Sequence, residues 1–296
     1  MYVKETFSHL ATAEITDIGL KRARNEDAII RVNESGVFCV ADGIGGASAG
    51  DEASAMAVTT LRDEFLAADK KSTCRNFEQR KNLVRQAMNQ ACQTIRINCH
   101  KNGYRESGTT AVTMVFDMEN PGKAAVLHAG DSRAYRYRNG HLGRLTRDHT
   151  LAVEAGWPEE NAWVFGMRTI ITRAVGVRPF VDLDETEVDV CSGDVYLLCS
   201  DGLTRMLHDR TISDIIRESG IKDLEKTAQE LVRQANLAGG RDNITVLLVR
   251  VDDCEAVPTD NSYLTTGKHS YLRMCVNWCQ RFLRLKSKKV TCNPIR

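Results

Sequence analysis

Residues 36–43 read GVFCVADG, a short apolar run that leads directly into an Asp-Gly pair. A run of this length and character, bounded by turn residues, is typical of a buried β-strand. Residues 194–202 (DVYLLCSDG) repeat the arrangement and again finish in an Asp-Gly pair. The two stretches therefore predict two buried strands, each with a carboxylate at its end.

The remaining strands and helices follow in a characteristic order. Apolar or β-branched runs predict further strands at 109–116, 123–129, 132–138 and 244–251. Asn139-Gly140 predicts a two-residue hairpin turn. Apolar residues at helical spacing predict helices at 47–68, 77–100, 211–219 and 224–236. Consecutive strands and paired helices favour an α+β fold, with antiparallel sheets covered by helices, over alternating βαβ units.

Four aspartates lie where predicted strands end or begin. Asp42, Asp131 and Asp201 follow strands, and Asp242 precedes the last strand. In an antiparallel sheet the end of one strand and the start of its neighbour share an edge, so the four carboxylates can converge on one rim. Two like charges 4 Å apart repel by about 1 kcal/mol in water and about 4 kcal/mol near a protein surface, so such a cluster requires cations. Oxygen ligands favour Mg²⁺ or Mn²⁺ over zinc. A plain turn explains any single Asp-Gly pair more simply, but four occurrences at strand ends favour a metal site.

Composition excludes several classes of protein. The chain has 40 basic and 39 acidic residues and a formal net charge of +1, so its overall charge gives no reason to expect a nucleic-acid partner. A mean hydropathy of −0.33 and the lack of a long uncharged apolar run exclude a membrane-spanning helix. Residues 1–12 show no secretory signal, and the ten cysteines form no Cys-x-x-Cys pair. We therefore expect reduced thiols and a cytoplasmic protein.

Charge divides the chain near its end. From residue 253 onward eight basic and three acidic residues give a charge of +5, which leaves −4 for the residues before it. Periodicity is lost at 257–266, so we predict a domain at 1–253 and a basic tail at 254–296. Within the tail, 271–286 has the spacing of a basic amphipathic helix. Such a helix can dock on the acidic domain, rest on an anionic membrane surface or bind a partner protein.

The order of eight short motifs resembles that of the metal-dependent serine/threonine protein phosphatases of the PP2C type, also called the PPM family. The first motif is DIG (17–19) with Arg22 and NED (25–27), and the others are VADGIGG (40–46), SGTTA (107–111), AGDSRAY (129–135), LTRDHT (145–150), ITRAVG (171–176), CSDGL (199–203) and GGRDNITV (239–246). The resemblance covers nearly all of residues 10–252. Ile44 stands where eukaryotic members usually carry His, which indicates the bacterial form.

The resemblance implies an αββα sandwich of two antiparallel sheets with a metal centre between them. By this resemblance Asp42 would bridge two tightly bound Mn²⁺ or Mg²⁺ ions, and the carbonyl of Gly43 would bind the first. Asp201 and Asp242 would bind the second ion. Asp131, together with Asp201, would hold a third and weaker ion.

Three further residues match functional positions of the family. Arg22 corresponds to the phosphate-binding arginine, and a guanidinium can bind two phosphate oxygens as a planar fork. Glu26 and Asp27 correspond to acidic residues that orient metal-bound waters. With Ile44 in place of His, a metal-bound water would protonate the leaving group. Residues 147–186 correspond to the flap beside the active site of bacterial members.

The resemblance implies hydrolysis of phosphoserine and phosphothreonine by a metal-activated water. The sequence has no P-loop, and a water activated by two metal ions needs no nucleophilic side chain. The expected partners are a phosphorylated protein and the serine/threonine kinase that the phosphatase opposes, and we expect a monomer. Two alternatives stay open: a pseudophosphatase that only binds phosphoproteins, and a phosphatase of small metabolites.

Overall fold

Eleven strands run through the described residues, which are 10–45, 49–74, 76–104, 106–157 and 170–252 of a computed structural model. In chain order they are β1 (Leu10–Asp17), β2 (Asp27–Val32), β3 (Val37–Ile44), β4 (Gly108–Thr109), β5 (Ala111–Phe116), β6 (Lys123–Ala129), β7 (Arg133–Arg138), β8 (His141–Arg144), β9 (Asp184–Asp189), β10 (Val195–Cys199) and β11 (Ile244–Val251).

The helices of the described residues differ greatly in length. They are α1 (Gly50–Lys71), α2 (Phe77–Asn102), α3 (Leu151–Glu154), α4 (Asp201–Thr204), α5 (Asp209–Ser219) and α6 (Leu224–Leu237). Asn76 begins α2 with a capping box, in which its side chain accepts from the N–H of Gln79 at 2.9 Å. Within the part of the chain described, no helix is both long enough and apolar enough to cross a lipid bilayer.

The strands form two antiparallel sheets. The first has the order β1-β11-β10-β7-β8, and the second has the order β2-β3-β5-β6-β9, with β4 paired to β3. The hairpin between β7 and β8 turns at Asn139 and Gly140, whose φ angles are +51° and +82°. Two successive positive φ angles are typical of a type I′ turn, so the predicted hairpin is confirmed.

Three layers of apolar packing hold the sheets and helices together. One lies between the second sheet and α1 with α2, another between the first sheet and α5 with α6, and the third between the two sheets. The strand β3 is apolar at successive positions because both of its faces are buried. Val37 and Cys39 pack toward the helices, whereas Phe38 and Val40 pack toward the other sheet. The result is the predicted αββα sandwich.

Several predicted elements have different bounds. The strand predicted at 36–41 continues to Ile44, so Asp42 and Gly43 lie inside β3 and not after it. The strand predicted at 109–116 is divided at Thr110 into β4 and β5. The chain separates into two compact units, Met1–Val257 and Pro258–Arg296, and the described residues belong to the first. The predicted tail lies outside the described residues, so the domain boundary stays a prediction.

Candidate active site

Asp42 lies on β3 with its backbone fixed on both sides. Its N–H donates to Thr110 Oγ1 at 3.0 Å, and its carbonyl accepts from the N–H of Thr110 at 2.8 Å. The next residue, Gly43, donates its N–H to the carbonyl of Glu26 at 3.0 Å. A Cβ at Gly43 would lie 2.3 Å from the carbonyl oxygen of Gly50, so only glycine allows the start of α1 to pack against this end of β3.

The other predicted ligands come from both sheets. Asp131 follows β6 of the second sheet, whereas Asp201 begins α4 after β10 of the first sheet and Asp242 precedes β11 of the same sheet. The expectation of a rim on one sheet is therefore wrong: the carboxylates meet between two stacked sheets. Gly202 permits this meeting, because a Cβ there would lie 1.9 Å from the carbonyl oxygen of Asn243.

The electrostatics of the cluster confirm that the carboxylates are neighbours. Loss of solvent and then the charges of Asp27, Asp201 and Asp131 raise the pKa of Asp42 well above its ordinary range. Loss of solvent is also the main cause that raises the pKa of Asp201 and of Asp131. The pKa of Asp27 rises to about 6 for the same reason. The protein thus holds several carboxylates in a place that disfavours their charged forms.

Three of these carboxylates keep a buried oxygen for which the described residues provide no hydrogen-bond donor. They are the Oδ1 atoms of Asp27, Asp131 and Asp201. A buried carboxylate oxygen without a donor is costly unless a cation binds it. The atoms that could bind a metal ion here are all oxygens, which suits hard ions such as Mg²⁺ and Mn²⁺. Asp201 is one of the predicted ligands of the tightly bound pair, so the residues present fit two divalent ions.

Arg205 enters the same cluster, and the sequence analysis missed it. Its guanidinium forms a close ion pair with Asp201, lies 3.2 Å from Asp131 Oδ2, and lies 3.7 Å from Asp242 Oδ2. The signal was present, because a basic residue four positions after an acidic one on a helical turn is placed to form an ion pair. Its position among three predicted ligands was not visible in the sequence.

Arg22 lies at the exposed edge of the cluster. Its Nη2 donates to Asp242 Oδ2 at 2.7 Å, and 47% of its side chain is exposed. The structure therefore places the predicted phosphate-binding residue against a predicted metal ligand, with its guanidinium open to solvent. Glu26 lies on the same loop, and partial burial raises the pKa of its carboxyl.

Asn243 fixes the loop that carries Arg22, a role for which the sequence analysis named no residue. Its Nδ2 donates to the carbonyls of Ile18 at 3.0 Å and Arg24 at 2.8 Å, and its Oδ1 accepts from the N–H of Glu26 at 2.9 Å. Asn243 is buried. Asn243 adjoins Asp242, directly before β11. The same short turn therefore supplies a predicted ligand and holds the loop that carries Arg22.

A family model described as protein phosphatase 2C matches residues 21–239. The chain belongs to the protein phosphatase 2C family. The serine/threonine phosphatase stp of Listeria welshimeri is 34% identical over 242 residues, which are 79% of this chain and 93% of that protein. The protein phosphatase PhpP of Streptococcus pneumoniae is 38% identical over 254 residues, 82% of this chain and 98% of that one.

Solved structures of phosphatases agree with this assignment. The S. agalactiae serine/threonine phosphatase matches with a TM-score of 0.75 and 32% identity, over 82% of this chain and all of that one. The catalytic domain of the phosphatase PstP, in complex with 2 manganese ions, matches with a TM-score of 0.69 and 29% identity, over 83% of this chain and 99% of that one.

These comparisons confirm four predictions for this phosphatase: the family in its bacterial form, the α+β sandwich, metal-dependent hydrolysis of phosphoserine or phosphothreonine in proteins, and the use of Mn²⁺ or Mg²⁺. The roles of individual ligands, and the third and weaker ion, are not tested by them and stay predictions.

A histidine pair lies behind Asp131 in this phosphatase. His128, His149 and Asp184 each offer one atom that could bind a metal ion, and these three atoms lie within 4.8 Å of one another. Hydrogen bonds account for much of this grouping: His149 Nδ1 accepts from the N–H of Gly130 at 3.2 Å, which leaves Nε2 to face Asp184 Oδ2 at 3.1 Å. The two rings stack in parallel, with centroids 4.7 Å apart, so they do not point at a common ion. His149 therefore supports the turn that carries Asp131.

The predicted flap at 147–186 is described in part. It contains α3, and its last residues enter β9, where Asp184 accepts from Arg173 Nη1 at 2.5 Å. Residues 158–169 of the flap lie outside the described residues. A role of this segment in choosing substrates stays a prediction.

Proposed function

We propose that this phosphatase hydrolyses phosphoserine and phosphothreonine at a centre of two divalent ions held by Asp42, Gly43, Asp201 and Asp242. The observation that carries the proposal is the convergence of aspartates from two sheets, together with a buried oxygen of Asp201, Oδ1, that has no hydrogen-bond donor among the described residues. Asp42 would bridge the ions and the Gly43 carbonyl would bind one of them, while Asp201 and Asp242 would hold the other. When bound, the ions supply an activated water and neutralise charge on the phosphate.

Around that centre the protein's own groups position the substrate. Arg22 has its guanidinium in solvent and is fixed at one end by Asp242, so it can present its remaining N–H groups to two phosphate oxygens. Asp27 is held by the hydroxyl of Ser200, which donates to Asp27 Oδ2 at 2.7 Å. We assign Asp27 and Glu26 to the orientation of water beside the phosphate.

The proton that the leaving serine or threonine oxygen needs has no side-chain donor at the end of β3. Ile44 is apolar and holds the place at which a histidine would act as an acid. His149 does not replace it, because one ring nitrogen faces Gly130 and the other faces Asp184. We therefore assign protonation of the leaving group to water in the site.

The partner kinase, the cellular compartment, the oligomeric state and the role of the tail also belong to this proposal. A phosphatase of this class requires a serine/threonine kinase that makes its substrate, and we propose that such a kinase acts with this chain in the cytoplasm. Free cysteines among the described residues, for example Cys39, Cys92 and Cys199, agree with a reducing compartment. We propose that the catalytic unit acts as a monomer, and that the tail binds the domain, a partner protein or a membrane surface.

The experiment measures hydrolysis of p-nitrophenyl phosphate and of a phosphothreonine peptide, with Mn²⁺ and with a chelator. We expect Mn²⁺-dependent turnover of both, loss of turnover in Asp42→Asn, and no change in Asp63→Asn. Asp63 is a suitable control because its side chain is 61% exposed and, within the described residues, its ion pair is with the neighbouring Arg62. Tight binding of phosphopeptide without turnover would indicate a pseudophosphatase. Turnover of small phosphorylated metabolites but not of the peptide would indicate the third alternative.

A further inference from the structure

The geometry points to Arg205 as a built-in cation that takes the place of a third divalent ion at Asp131 and Asp201. The inference rests on the proposed metal centre and refines it: this chain would bind two ions and not three. It concerns the part of the cluster where Asp131 lies, and leaves the roles of Asp42 and Gly43 unchanged.

The contacts of Arg205 are those that an ion at this position would need. One guanidinium nitrogen, Nη2, approaches both Asp131 Oδ2, at 3.2 Å, and Asp201 Oδ2 more closely. The other terminal nitrogen lies 3.7 Å from Asp242 Oδ2. A guanidinium stays protonated at any pH at which the protein is folded, so this positive charge is permanent.

The backbone holds Arg205 in this position. Asp201 begins α4, and the N–H of Arg205 donates to the carbonyl of Asp201 at 2.7 Å, which fixes the two residues one helical turn apart. The side chain is 21% exposed, so the head group is largely enclosed by the cluster. An arginine in this setting loses little additional freedom when it pairs with the carboxylates.

The space beside Asp131 does not suit a hydrated ion. A cavity of about 10 Å³ lies there, which is room for roughly one water molecule. Its lining includes Asp131, Asp201 and two arginines, Arg205 and Arg133. Arg133 is engaged by Asp148, whose Oδ2 lies 2.7 Å from its Nη2. Mg²⁺ in proteins usually keeps several of its waters, for which this space has no room, and the guanidinium of Arg205 would repel it.

The inference has a direct consequence for metal binding. Removal of the guanidinium charge should leave Asp131 without a cation, and an additional divalent ion should then bind between Asp131 and Asp201. A lysine at the same position should continue to exclude the ion, because it keeps the charge. In the native chain Asp131 pairs with Arg205 and does not hold metal.

The experiment counts Mn²⁺ bound per chain by isothermal titration calorimetry, with free Mn²⁺ measured by electron paramagnetic resonance. We expect two ions for the native chain and for Arg205→Lys, and one additional, weaker ion for Arg205→Gln. The matched control is Arg233→Gln, which removes the same charge from an exposed pair with Glu230 and should leave the number at two. Circular dichroism establishes that each variant is folded.

A second variant keeps the test decisive if Arg205→Gln does not fold. In Asp131→Asn the count should remain at two, because Asp131 holds no ion in the native chain. A native chain that binds three ions, with a decrease to two in Asp131→Asn, would overturn the inference, as would a folded Arg205→Gln that still binds two. A native chain that binds no Mn²⁺ would instead overturn the proposed metal centre itself.

Discussion

Asp27 and Asp42 face each other across the antiparallel pair of β2 and β3. Residues that are directly opposite in such a pair place their side chains on the same face, with Cβ atoms about 5 Å apart, and like charges there are destabilising. Among the charged groups, Asp27 makes the largest contribution to the raised pKa of Asp42. The protein therefore keeps two carboxylates in an arrangement that weakens the metal-free fold and that cations bound by Asp42 would stabilise.

The first prediction concerns Asp42→Asn. The amide removes a charge from the cluster, so the metal-free variant should unfold at a higher temperature than the metal-free native chain. Because the proposed bridging ligand is lost, Mn²⁺ should no longer raise its melting temperature, and hydrolysis of p-nitrophenyl phosphate should fall by at least about 100-fold. Thermal unfolding with and without Mn²⁺ measures both effects. A folded variant with native activity would contradict the assignment of Asp42 as a ligand.

The second prediction concerns the pH dependence of stability in the presence of a chelator. The folded pKa of Asp27, about 6, lies above the ordinary value of 3.8. An acid with a raised folded pKa favours the folded state at low pH, and this contribution is lost as the pH rises through the folded pKa. Between pH 4 and pH 7 the native chain should therefore lose stability relative to Asp27→Asn, by about 1 to 2 kcal/mol after solvent screening is considered.

Urea unfolding of both proteins at a series of pH values measures that difference. The comparison with Asp27→Asn is essential, because groups remote from the cluster also titrate in this range and contribute equally to both curves. Parallel curves would show that Asp27 has an ordinary pKa. With saturating Mn²⁺ the difference should decrease or reverse, because the bound ions stabilise the charged carboxylates.

The sequence predicts the interior of this fold much better than its edges. Every strand that the sequence did not indicate is an edge strand of one of the two sheets: β1, β2 and β9. An edge strand has fewer buried positions and need not be apolar, as β9 (DETEVD) shows, where Glu185 accepts from Lys81 Nζ at 2.9 Å. The interior strands are buried on both faces, so their apolar runs are unmistakable.

The same distinction holds for the site. The predicted ligands were found through motifs, and each occupies an end of a strand or a position beside one. The supporting contacts of Asn243 and Arg205 depend on how the two sheets stack. They join residues that are far apart in the sequence, so no local sequence pattern predicts them. For this reason the strand ends alone predicted the carboxylates on one sheet, whereas the structure brings them together from two, as the family resemblance implied.

The third prediction concerns Asn243→Ala. The substitution leaves the carbonyls of Ile18 and Arg24 and the N–H of Glu26 without their buried partner. We expect a loss of about 2 to 3 kcal/mol in the free energy of unfolding. Because the loop carries Arg22, KM for a phosphopeptide should also rise. The control is Asn120→Ala in the turn between β5 and β6, which removes an acceptor for the N–H of Gly122 at the end of that hairpin remote from Asp131 and should leave KM unchanged.

The fourth prediction concerns Arg22 and the binding of phosphate. Arg22→Ala removes a charged contact to the substrate, so we expect KM for a phosphopeptide to rise by about 10- to 100-fold while the number of bound Mn²⁺ ions is unchanged. Arg22→Lys should recover only part of the loss, since an ammonium group cannot form the planar fork. Steady-state kinetics and calorimetry provide the two measurements. A decrease in bound metal in Arg22→Ala would show that the residue serves the metal site through Asp242.

The last prediction concerns a chain that ends at Asp253. The described structure supplies a natural end: β11 finishes at Val251, whose carbonyl accepts from the N–H of Gly193 at 2.8 Å, and the carbonyl of Asp252 accepts from Ser192 Oγ at 2.9 Å. All residues assigned to catalysis precede this point, so the shortened chain should fold and keep its Mn²⁺-dependent hydrolysis of p-nitrophenyl phosphate within about twofold of the full chain. Kinetics on both chains, with circular dichroism to establish folding, measure the effect. A folded but inactive chain would show that the basic tail completes the active site, and the predicted boundary between domain and tail would then be wrong.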